Sequence, residues 1–173
     1  MRTRKWYGNE ICQTTDVFLG FNGYQGNEAY ISFTINKIDE VYKISIKTEK
    51  GEPVYIAKTN TMYEAKEIVY ELLKSFKNNI DSYNLKAEIP NVNNISEYRY
   101  IYIPFIECSE YKRSLVLSIE RKGDGFGLTL MFGGNFTLLN TRPFLCRTKE
   151  NIIDIINHSN NIIVGCINDY LNK

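Results

Sequence analysis

Tyr42-Lys43-Ile44-Ser45-Ile46-Lys47, followed by the turn Glu49-Lys50-Gly51-Glu52, the short run Val54-Tyr55-Ile56 and a helix signal at Thr61, decides the reading of this chain. Tyr42, Ile44 and Ile46 alternate with Lys43, Ser45 and Lys47, the period of a strand buried on one side only. Just upstream, Ile31, Phe33 and Ile35 alternate with Ser32, Thr34 and Asn36, and Ile38-Asp39-Glu40 supplies a hairpin connection. Thr61 with Glu64 fits a capping box, and Ala65, Ile68, Val69, Leu72, Leu73 and Phe76 then recur at helical spacing as one apolar stripe. That stripe needs a sheet to cover. It hides only one sheet face, so the face bearing Lys43, Ser45, Lys47 and Tyr55 is left for water, a ligand or a partner.

The same order of signals returns in the second half. Leu115, Leu117 and Ile119 alternate, Lys122-Gly123-Asp124-Gly125 turns the chain, and Phe126 to Phe132 runs back. Gly133-Gly134-Asn135 turns it again, Phe136 to Leu139 follows, and Thr148 caps a helix carrying Ile152, Ile155, Ile156, Ile163, Ile167 and Tyr170 at helical spacing. Asn157 to Asn161 are weak helix formers, so one long helix and two short ones both fit. The expected fold is α+β: two repeated antiparallel β-sheet-plus-helix units, ββββα twice, with a helix on one face of each sheet. Residues 1–29, rich in turn formers, read as an N-terminal arm with one strand. Residues 30–80 form the first unit, the Asn-rich stretch 81–97 around Pro90 a linker, and 98–173 the second unit of one compact domain.

With 173 residues and 43% hydrophobic content, the chain can bury about 70% of its unfolded surface and needs no staples. Cys12, Cys108, Cys146 and Cys166 lie far apart without a CxxC pair, which favours a reducing, cytoplasmic compartment and gives no zinc spacing. No cofactor or metal is expected. The basic start Met1-Arg2-Thr3-Arg4-Lys5-Trp6 lacks the apolar core of a secretory signal, and no run reaches the roughly 18 apolar residues of a membrane span.

Net charge is +1, from 21 basic and 20 acidic side chains, so a whole-chain polyanion footprint is missing. Residues 111–173 hold eight basic and five acidic side chains, which leaves 13 against 15 for the first 110. A polyanion site must therefore be local. Catalytic constellations are thin: His158 is the sole imidazole, it sits among asparagines, and no cysteine has a motif that would lower its pKa. Gly123-Asp124-Gly125-Phe126-Gly127 lies between strands with no helix after it, which makes it a hairpin and not a phosphate loop.

Aromatic and basic residues interleaved on strands carry the stronger signal. Tyr98-Arg99-Tyr100-Ile101-Tyr102-Ile103 places three tyrosines on one face and Arg99, Ile101 and Ile103 on the other, and Pro104 favours an edge or a bulge. Single strands of nucleic acid are held by bases stacked on exposed aromatics and phosphates tracked by Lys and Arg. Tyr55, Tyr98, Tyr100 and Tyr102 are the candidate stacking residues, and Lys43, Lys47, Arg99, Arg121, Lys122 and Arg142 the candidate phosphate contacts. Strand propensity and cross-strand packing account for 13 tyrosines equally well.

Arg113-Ser114-Leu115-Val116-Leu117-Ser118-Ile119, then Gly123-Asp124-Gly125-Phe126-Gly127-Leu128-Thr129-Leu130, then Thr148-Lys149-Glu150 opening a helix, resembles the second repeat of a Whirly domain. The doubled order is likewise similar to PUR-repeat and transcriptional-coactivator folds that bind single-stranded DNA. The lysine- and glycine-rich strand motif of plant Whirly proteins has no counterpart here. The resemblance implies two sheets in a pseudo-two-fold pair, edges used for nucleic acid, and homo-oligomers. The expectation is a non-enzymatic protein that binds single-stranded DNA or RNA, with no membrane partner. The alternative is a protein-interaction module, such as an inhibitor or immunity-type protein, for which exposed tyrosines and near-zero charge are suited.

Overall fold

The computed structural model describes residues 5–22, 28–47, 53–82, 89–108, 111–132 and 136–173. The turns expected at Glu49-Lys50-Gly51-Glu52 and Gly133-Gly134-Asn135 lie outside these residues, as does most of the arm before Trp6. The chain is α+β with two antiparallel sheets. The first is formed by β1 (Tyr7–Gly8), β2 (Cys12–Asn22), β3 (Glu28–Ile38), β4 (Val41–Lys47) and β5 (Pro53–Thr59), in that spatial order. Helix α1 (Met62–Ser82) follows. The second sheet is formed by β6 (Tyr98–Cys108), β7 (Tyr111–Lys122), β8 (Gly125–Phe132) and β9 (Phe136–Asn140), again in order, before helix α2 (Lys149–Leu171). Single 3₁₀ turns lie at Val92–Asn94 and Pro143–Leu145. The sheets are unequal, five strands against four.

Local chemistry explains the element ends. Glu64 N donates to Thr61 Oγ1 at 3.1 Å at the start of α1. Thr148 and Asn151 cap α2 reciprocally, and α2 then runs unbroken through Asn157–Asn161, because buried Ile152, Ile156, Ile163 and Ile167 anchor both sides of that weak segment. Ile38 pairs with Val41 across a two-residue turn in which Asp39 and Glu40 both have positive φ, 51° and 63°, matching the twist of the flanking strands.

Two expectations need correction. Residues 1–29 are not merely an arm, since β1 and β2 extend the first sheet and Thr15, Val17 and Leu19 alternate into its core. Nor does each helix simply cover the strands before it. Helix α1 lies against β6 of the second sheet as well as β3–β5 of its own, and α2 lies chiefly against β2 of the first sheet and against α1. The helix of the second half thus packs on the sheet of the first while α1 touches both sheets, and the buried faces merge into one core that runs from Val17, Phe33 and Ile44 through Leu73 and Phe76 to Ile103, Leu128 and Ile163. Burying each such side chain contributes about 1.5–3 kcal/mol. Within the linker, Ile89 and Ile95 are buried, and Asn91 accepts from Asn93 N to hold the 3₁₀ turn between them.

Candidate nucleic-acid interface

Because the core lies between the sheets and helices, each sheet keeps an outer face. On β6, Ile101 and Ile103 are buried while Tyr98, Tyr100 and Tyr102 are 55%, 49% and 59% exposed, so period two has separated the strand into an inner apolar and an outer aromatic side. β6 is the last strand of its sheet, and the tyrosines stand along that edge. The Tyr98 and Tyr100 rings are parallel within 4°, their centroids 6.3 Å apart. Across the sheet the outer face continues in rows: Tyr98 with Glu120 and Gly127, Tyr100 with Ser118 and Thr129, Tyr102 with Val116 and Met131.

One carboxylate organises the first row. Tyr98 Oη donates to Glu120 Oε1 at 3.1 Å, and Lys122 Nζ lies 2.9 Å from Glu120 Oε2. The hydrogen bond to Glu120 raises the Tyr98 hydroxyl pKa, the hydrogen bond from Lys122 lowers that of Glu120, and Lys122 is raised in return. The stem of Lys122 passes over Gly127. The ladder is therefore aromatic and locally neutral.

The other expected residues fall elsewhere. Tyr55 is 51% exposed on the outer face of the first sheet, with the Lys43 ammonium 5.9 Å from its ring centroid. Lys47 pairs with Pro53 in the β4–β5 ladder, but its side chain lies outside the described residues. Arg99 is exposed on the opposite parity from the tyrosines. Arg121 is exposed but already engaged: Nε donates to Ile95 O and Nη2 to Val92 O, both at 2.9 Å, and the guanidinium lies 5.0 Å from the Phe126 ring centroid. It ties the linker to β7. Arg142 is exposed at the start of the second 3₁₀ turn.

Two further surfaces escaped the sequence reading. On the outer face of the first sheet, Tyr7, Thr14, Asp16, Tyr30, Ser32 and Thr34 line a shallow concavity of about 470 Å³. Asp16 accepts there from Tyr7 Oη at 2.8 Å and from Ser32 Oγ, and burial together with Asp16 pushes the Tyr7 hydroxyl up to about 12. At the helix seam, Lys5 and Trp6 are docked: Trp6 Nε1 donates to Tyr70 Oη at 2.8 Å, and Lys5 Nζ donates to Leu171 O at 3.3 Å between the Tyr70 and Tyr170 rings. His158 is exposed on α2. Among the described residues, no three His, Cys, Asp or Glu side chains converge as metal ligands, and no helix is long and apolar enough to cross a membrane. No protein-family model, curated protein or solved structure matches the chain.

Proposed function

We propose that this protein is a non-enzymatic, cytoplasmic binder of single-stranded DNA or RNA that stacks bases on the outer face of its second sheet. The observation that carries the reading is the line of three exposed tyrosines on β6, with two rings parallel. Each base stacked on such a ring contributes about 1–3 kcal/mol, and tolerance of sequence follows because every base offers a π face. Lys122 beside Tyr98, and Lys43 beside Tyr55 on the other sheet, supply cations next to aromatic rings. The order of elements adds support. In each half an antiparallel sheet precedes a helix, an order compatible with the likeness to Whirly and PUR-repeat folds, while the sheets differ in size.

Fluorescence anisotropy at low salt with a labelled oligothymidylate tests the proposal. Binding is expected, and log K should fall with log salt by about 0.7 per phosphate contacted. Absence of binding, or binding with no salt slope, ends this reading.

A second reading is favoured by Glu120. A carboxylate inside the tyrosine row repels phosphate, and the charges there cancel, as at protein interfaces built on Tyr. In that case the ladder docks a protein, and a pull-down that depends on Tyr100 would identify the partner.

A further inference from the structure

The turn Pro143–Leu145 turns its large apolar side chains outward. Phe144 and Leu145 are 58% and 51% exposed, while the inward position is taken by fully buried Cys146. Hydrogen bonds hold the turn in this pose. Phe126 N donates to Cys146 O at 2.9 Å, Leu145 N donates to Arg142 O at 3.1 Å, and Thr141 Oγ1 both accepts from Leu128 N at 3.0 Å and contacts Cys146 Sγ at 3.4 Å.

Its position relates it to the tyrosines. Gly125 and Gly127 alternate with buried Phe126 and Leu128, so side chains at these glycines would point to the outer face. A Cβ at Gly125 would run into the Pro143 carbonyl, which puts the turn on the outer side, at the end of the sheet where Tyr98 and Lys122 lie. Two strand spacings, about 10 Å, separate Tyr98 on β6 from Gly125 on β8, against which the turn lies.

Charge completes the case. Lys122 and Arg121 are engaged by Glu120 and by linker carbonyls, whereas the guanidinium groups of exposed Arg142 and Arg147, on either side of Phe144, have no ion pair or hydrogen-bond partner among the described residues. Guanidinium groups match phosphate oxygens in two-pronged hydrogen bonds, and an exposed phenyl ring offers a stacking face. We infer that the Arg142–Arg147 turn is a second contact point for the strand held by the tyrosine ladder, so that nucleic acid crosses the outer face from Tyr98 past Lys122 to Phe144. The inference rests on the ladder reading.

Oligothymidylates of about 3 and about 16 nucleotides separate the two contact points, because three bases laid on Tyr98, Tyr100 and Tyr102 leave none for the turn. In anisotropy titrations, Phe144→Ala and the pair Arg142→Gln/Arg147→Gln should each weaken the longer probe about tenfold and leave the shorter within about twofold. The arginine pair should also lower the salt slope for the longer probe by roughly 1.4. Thermal melting checks folding, and the exposed arginine pair carries the test should Phe144→Ala melt early. Wild-type-like binding of both probes by the variants overturns this inference alone and assigns the turn to a protein contact. Equal weakening of both probes also overturns it. Failure of the unmodified protein to bind either probe removes the ladder reading and this inference together.

Discussion

Gly20 of β2 lies directly beneath Ile162 of α2: a Cβ built on this glycine would collide with Ile162 Cγ2 and stand 3.1 Å from Cys166 Sγ. Its φ of +83° lies in the region that L side chains avoid, and the β2–β3 register shifts between Phe18 and Asn22 around it. The absent side chain lets the helix of the second half settle on the sheet of the first. Gly20→Ala should therefore lower stability by roughly 2–4 kcal/mol, combining a positive-φ penalty with overpacking. Denaturant melts give the value, and Ile162→Ala in the same chain should recover part of the loss. A neutral Gly20→Ala would show that the helix does not rest there.

The β3–β4 turn should be improvable. Asp39 and Glu40 both occupy left-handed backbone, which costs an ordinary L residue about 1–2 kcal/mol and glycine almost nothing. Lys37 Nζ pairs with Glu40 Oε2 at 2.9 Å, but Glu40 is 90% exposed, so solvent weakens that pair. Asp39→Asn with Glu40→Gly should raise the midpoint of thermal unfolding by several degrees. A lower midpoint would mean that the ion pair outweighs the backbone relief.

Alkaline pH should loosen the helix seam. Burial pushes the Tyr170 hydroxyl up to about 12, and Thr15 Oγ1 lies 2.7 Å from it. Unfolding releases a phenol that ionises near 10, so the unfolded state loses its proton first. Stability is then full below about pH 10 and declines as pH rises toward about 12. Tyr7, also pushed to about 12, adds to the same window. Tyr170→Phe should flatten the decline measured by chemical denaturation at stepped pH. An unchanged slope would place the sensitivity elsewhere.

Glu120 should act as a brake on nucleic-acid binding. Its carboxylate accepts from Tyr98 and pairs with Lys122 within the ladder, so Glu120→Gln removes a phosphate-repelling charge and releases a cation. Affinity for a single strand should rise several-fold, and the salt slope should steepen by about 0.7 as Lys122 gains one phosphate. Weaker binding by Glu120→Gln would favour a protein partner that reads the carboxylate.

Much of the fold was legible in side-chain periodicity and in turn and cap chemistry. Ile31, Phe33 and Ile35, the Thr61 and Thr148 caps, and the split of β6 into tyrosine and isoleucine faces all depend on interactions within a few residues. Strand β2 was harder to read, because its inward run contains polar Thr15 and ends at Gly20, whose role depends on a helix about 140 residues away in the chain. The packing of α2 on the first sheet was not legible at all: an apolar stripe specifies that a face is covered, not which sheet covers it. Arg121 shows the same limit at the site. Sequence puts it beside Lys122, but strand parity sends it to the linker carbonyls while Lys122 reaches Glu120.

Backbone-amide NMR during titration with unlabelled oligothymidylate tests the central claim most directly. Shifts should concentrate at Tyr98, Tyr100, Tyr102, Glu120 and Lys122 along β6 and β7. Shifts confined to the helices or the first sheet, or none at saturating probe, would contradict the account.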